Sequence, residues 1–135
     1  MKPIFIDTAY IIALVNRRDK YHAQAAKLAE QMTSRSFLTT DAILLEVGNA
    51  LAQYFRQEAV AIIEQFINSP EVEIVHLTPA LFSAAFTRYK QYGDKEWGLV
   101  DCISFEVMAQ RGVQEALTTD RHFTQAGFET LMAVN

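Results

Sequence analysis

Apolar and polar positions fall into two kinds of block that take turns along the chain. Short apolar runs with strand character occur at 4–6 (IFI), 36–40 (SFLTT), 73–77 (EIVHL), 116–120 (ALTTD) and 130–134 (TLMAV). Between them lie longer stretches with apolar residues at helical spacing. The first, 8–15, gives way to the polar NRRDK. The second, 21–32, places Ala25, Leu28, Ala29 and Met32 on one face. A helix over 41–55 has Thr40 or Asp41 as its cap, and another over 58–67 stops at NSP. Pro79 opens a helix over 80–89, and the polar YGDKEW (92–97) reads as a loop. The helix over 99–111 ends at Gly112, a suitable C-terminal cap, and a short helix over 122–126 precedes the last strand.

Strands that alternate with helices predict an α/β fold: a three-layer α/β/α sandwich around a mainly parallel sheet of four or five strands. The 135 residues suit one domain, residues 1–135, without repeats, low-complexity tracts or a Gly/Pro/Ser-rich linker. Half the residues are apolar and 21% are charged, a composition that supports a packed core rather than disorder. The apolar runs are too short to span a bilayer, and Asp7 interrupts the first of them, so no leader pattern is read. The single cysteine, Cys102, excludes an internal disulfide framework; together these features lead to the expectation of a cytoplasmic protein that does not engage a membrane. A net charge of −4 argues against coating nucleic acid by bulk charge, but a local basic rim would still serve an enzyme that acts on it.

Open parallel sheets form their sites beyond the carboxyl ends of the strands. Asp7 follows the first strand and Asp120 ends the ALTTD run, which places two acids at one edge. Two further acids sit in apolar company: Glu46 within ILLEVGNAL, and Asp101 in the first turn of the 99–111 helix. Each aspartate also has a structural reading, Asp101 through the helix dipole and the others as caps. Glu46, mid-helix, has no such role. Two unit charges about 5 Å apart repel by roughly 3 kcal/mol at an effective dielectric near 20, so four gathered charges repel by about 20 kcal/mol. That exceeds the net stability of a typical domain, about 5–15 kcal/mol. Such a cluster must protonate, stay hydrated or bind a cation. Oxygen donors without clustered His or Cys select a hard ion, Mg²⁺ or Mn²⁺, and a carboxylate-held ion of that kind suits phosphodiester hydrolysis. Thr8 and Thr119 flank the strand-end acids, and their hydroxyls are candidates to orient a carboxylate or a phosphate. Asn49, one turn after Glu46, is a candidate to orient that carboxylate.

The residues also resemble a known family. FIDTAY, LEVGNAL, DKEWGLVDCISFEVM and ALTTDRHFTQAGF occur in the order and approximate spacing of the PIN-domain ribonucleases, specifically the VapC-like toxins of toxin–antitoxin pairs, and cover almost the whole chain. The resemblance implies that Asp7, Glu46, Asp101 and Asp120 are the catalytic, metal-binding acids of a Mg²⁺- or Mn²⁺-dependent endoribonuclease. It implies an RNA substrate, a small antitoxin partner, and a homodimer or toxin–antitoxin hetero-oligomer. Two departures stand out. The family's frequent Ser-Leu-Thr before the third acid is Gly98-Leu99-Val100 here, which removes two hydroxyls near Asp101. In the last motif, Thr118-Thr119-Asp120 replaces a run that often carries an aromatic residue.

Candidate RNA contacts are Arg17 and Arg18 after the first helix, with Lys20, and Arg121 after Asp120, with His122 beside it; phosphate contacts carry much of the affinity for nucleic acid. Lys90 and Lys95 flank the loop before Trp97, which reads as a loop anchor. An aspartyl-phosphate phosphatase of the best-known type would need a second aspartate at position 9, which is Ala. A non-catalytic PIN-like interaction module is the remaining alternative, and the loss of one acid would have favoured it.

Overall fold

Ile4, Phe5 and Ile6 are excluded from solvent on both sides, so they form a central strand, β1 (Ile4–Ile6). The computed structural model describes residues 1–134. β1 pairs in parallel with β2 (Phe37–Thr40) on one side and β4 (Glu115–Leu117) on the other. β3 (Val72–Val75) lies outside β2, and β5 (Glu129–Thr130) lies outside β4. The sheet is therefore five-stranded and all parallel, in the order β3-β2-β1-β4-β5. The chain builds outward from β1 to β3, then crosses back to β4 on the opposite side of β1. The strand order reverses beside β1, where open sheets place their sites.

Among the described residues seven helices make the crossovers: α1 (Thr8–Val15), α2 (His22–Gln31), α3 (Asp41–Leu51), α4 (Arg56–Asn68), α5 (Pro79–Gln91), α6 (Leu99–Arg111) and α7 (Arg121–Gln125). They complete the α/β/α layering expected from the alternation. The core joins Phe5, Ile11, Leu38, Ile43, Phe105, Met108, Leu117 and Phe123, all shielded from solvent. The Thr40 hydroxyl accepts from the Ile43 N–H, and Thr78 does the same for Leu81 at the start of α5. Gly112 ends α6 at φ +64°, a conformation that favours glycine. Among the described residues, no helix is long and apolar enough to cross a membrane.

Several boundaries differ from the expected ones. The 41–55 helix stops at Leu51, because the chain turns to pack Phe55 against the core, and α4 then starts at Arg56. The 73–77 strand covers 72–75; beyond it, the Leu77 N–H donates to the Asp41 carboxylate at 3.0 Å instead of continuing a ladder. The 116–120 strand ends at Leu117, and the last strand retains only Glu129 and Thr130.

Candidate active site

Asp7 is the first residue past β1, at the N-terminus of α1, and is only 6% exposed. Its N–H donates to the Leu117 carbonyl at 3.3 Å, which brings the residue after β4 level with it. That residue is Thr118, fully buried, whose hydroxyl donates to Asp7 Oδ2 at 2.7 Å and accepts from the Asp120 N–H at 3.0 Å. One side chain thus joins two strand-end acids. Thr119 is half-buried, and among the described residues its side chain bonds neither acid; the orienting contact expected of it is made by Thr118.

Asp101 arrives from the first turn of α6. Its Oδ2 accepts from the Gly98 N–H at 3.1 Å and faces His122 Nδ1 at 3.0 Å. His122 sits in α7 because the Asp120 carboxylate caps that helix, Oδ1 accepting from the His122 N–H at 2.9 Å; the His122 ring also lies 3.4 Å from Asp120. Atoms of Asp101, Asp120 and His122 lie within 4.8 Å of one another, a spacing that can hold a metal ion. The oxygen-only donor set expected from the sequence therefore gains an imidazole. His122 was expected among the rim cations; its packing between α6 and α7 was not visible in the chain alone.

Glu46 stands to one side. It is half-buried on α3 and accepts a 2.6 Å hydrogen bond from the Thr8 hydroxyl, which ties it to the residue after Asp7. Asn49 is exposed, and among the described residues no hydrogen bond links its amide to Glu46. Arg17 and Arg18 lie beyond the far end of α1, about 12 Å along the helix from Asp7. There they line a groove of about 1020 Å³ with Leu14, Phe55 and Ile62. Arg121 is exposed beside Asp120, 3.8 Å from Glu96.

The electrostatics follow from this packing. Burial lifts the Asp7 carboxyl to about 7; the Thr118 and Thr8 hydrogen bonds oppose the shift, and the charges of Asp101 and Asp120 add to it. Burial also raises Asp101, against the opposing pull of His122 and the Gly98 N–H. The like-charge problem posed by the sequence has a partial local answer: burial favours a proton on Asp7, so that one of the acids is not fully charged at neutral pH. A divalent cation would relieve the same repulsion more fully, and the donors present suit one.

Residues 4–129 match the PIN domain family. The 23S rRNA-specific endonuclease VapC20 of Mycobacterium tuberculosis is 30% identical over 125 residues, 93% of this chain and 95% of that protein. The crystal structure of that VapC20, described as a sarcin-ricin loop cleaving toxin, superposes with a TM-score of 0.84 over 93% of this chain and 95% of the other. FitAcB from Neisseria gonorrhoeae shares the fold at a TM-score of 0.67 and 15% identity, covering 96% of each chain. DNA-bound VapBC from Salmonella typhimurium does so at 0.63 and 18%, covering 96% of this chain and 97% of that one.

Proposed function

The chain belongs to the PIN-domain family, and from that premise we propose that it is a Mg²⁺- or Mn²⁺-dependent endoribonuclease, the toxin of a toxin–antitoxin pair. The observation that carries this reading is the meeting of Asp7, Asp101 and Asp120 at the strand ends, with Asp7 raised to about 7 by burial and by the other two. Acids so placed are poised to exchange a proton for a cation.

Asp7, Asp101 and Asp120 would hold the ion, with Glu46 turned by Thr8 as the fourth acid and His122 as an added donor. When bound, the ion supplies Lewis-acid charge at the scissile phosphate. The chain's own groups do the positioning. Thr118 fixes the Asp7 carboxylate and the Asp120 backbone together. The Gly98 N–H holds Asp101 where the family often has a hydroxyl. Arg121 offers a cation at the edge, where phosphate contact is electrostatic.

A small antitoxin and a cytoplasmic setting follow from the toxin reading. A homodimer is supported by the apolar row on α5, where Phe82 and Phe86 stack while more than two-fifths exposed. Because VapC20 is named for 23S rRNA, ribosomal RNA is the first substrate to try. Purified protein with ribosomes and Mn²⁺ should produce a discrete rRNA cut, mapped by primer extension. Asp7→Asn should produce none while keeping the wild-type circular dichroism spectrum; unchanged cutting by that variant would overturn the site.

A further inference from the structure

The loop between α5 and α6 carries a second concavity beside the acids. Tyr89, Gly93, Lys95, Glu96, Trp97 and Gly98 line a pocket of about 410 Å³, within the range of small-ligand sites. Two contacts tie it to the acid cluster. The N–H of Gly98, on the pocket wall, donates to Asp101, and Glu96 lies 3.8 Å from Arg121, the neighbour of Asp120. The floor is firm: Trp97 is 6% exposed, its indole N–H donates to Gln125 Oε1 at 3.0 Å, and its ring meets Phe105 edge-on at 5.1 Å. The walls are open to a ligand. Tyr89 is 45% exposed, with Phe86 stacked beside its ring at 6.4 Å, and among the described residues the Lys95 ammonium pairs with its exposed neighbour Asp94 at 3.3 Å.

We infer that this pocket is a nucleotide subsite that takes one unpaired base of single-stranded RNA next to the cleavage site, stacking it on Tyr89 with its phosphate against Lys95. The inference rests on the nuclease reading for its ligand class. A firm aromatic floor, an exposed ring and a weakly engaged cation are the parts from which single-strand subsites are built, because every base has a face to stack while the backbone asks only for positive charge. A protein partner would find a small polar hollow here. The apolar part of this surface, Phe82 and Phe86, lies further along α5.

The test uses a fluorescein-labelled 12-nucleotide single-stranded RNA of mixed sequence and fluorescence anisotropy, with the full-length protein and no divalent ion. Tyr89→Ala should weaken binding about tenfold, at the lower end of what stacking one base contributes. Tyr89→Phe, which keeps the ring, should stay within about twofold. Lys95→Ala should lower the slope of log affinity against log salt by about 0.7, as loss of one single-strand phosphate contact does. Phe82→Ala, on the same helix but away from the pocket, should bind as wild type. The subsite is refuted if Tyr89→Ala binds normally, if wild type does not bind the oligonucleotide, or if Phe82→Ala weakens binding equally, which would assign the row to contact between protein copies. Ribosomal RNA cleavage by wild type is scored separately. Cutting with a silent Tyr89→Ala removes only the subsite, whereas the expected binding pattern without cutting removes the nuclease and leaves an RNA-binding pocket.

Discussion

A buried carboxyl that titrates near neutrality is a liability to the fold, and Asp7 has both properties. Its folded value, about 7, lies above its ordinary value of 3.8. The folded protein therefore binds the Asp7 proton more tightly than the unfolded chain does. The stabilisation this gives is fully present below pH 4 and is lost as pH rises through 7. Asn carries no charge at any of these values and can still accept the Thr118 hydrogen bond. Metal-free Asp7→Asn should therefore gain on wild type by about 2–3 kcal/mol between pH 5 and pH 8, read from urea unfolding at each pH. A stability difference that is flat with pH would show that Asp7 is better solvated than its 6% exposure implies. Thr118→Val tests the same residue from the other side. It removes a 2.7 Å hydrogen bond that holds the carboxyl down, so Asp7 should titrate higher still, and the rise of cleavage rate with pH should move to more alkaline values. The fold should lose about 1–3 kcal/mol for the unpaired groups left behind.

The elements carry these residues to one place, and they explain what the chain did and did not disclose. α6 was legible from end to end because both of its signals are local: an acid in the first turn and a glycine past the last, which the structure holds at φ +64°. Gly112→Ala puts a side chain into that left-handed conformation and brings its Cβ to 3.4 Å from Lys2 Nζ. It should cost about 1–2 kcal/mol in thermal unfolding without altering the pH dependence of cleavage. Asp7 was legible for the same reason, since it directly follows the apolar run of β1, whereas Asp120 stands three residues past the end of β4 as the cap of α7. Which threonine meets Asp7 was not, because that depends on the register of β1 against β4. Leu117 receives the Asp7 N–H, so Thr118 stands level with the acid and Thr119 does not. His122 needed the docking of α7 on α6, a contact more than twenty positions apart in the chain. The distance of Arg17 and Arg18 from the acids was available from the sequence, in the length of the α1 helix that separates them from Asp7.

At the scale of the whole molecule, sheet order and site chemistry become one constraint. The order β3-β2-β1-β4-β5 puts the reversal beside β1, and Asp7, the first residue past that strand, feels the charges of Asp101 and Asp120 there. A cation bound to them contributes directly to the stability of the whole domain, because the unfolded chain does not assemble the site. At an ion concentration one hundred times its dissociation constant, that stabilisation is about 2.7 kcal/mol. For a domain of this size it corresponds to a rise in melting temperature of roughly 10 °C. The rise should be larger at pH 8 than at pH 5, because at pH 5 the ion must first displace the proton that burial holds on Asp7. Asp7→Asn should invert the balance, melting higher than wild type without the ion at pH 8 and gaining less from adding it. Differential scanning fluorimetry with and without Mn²⁺ at the two pH values reads all of these outcomes. An increment that ignores both pH and the substitution would place the ion away from Asp7 and return the strand-end acids to a purely structural role.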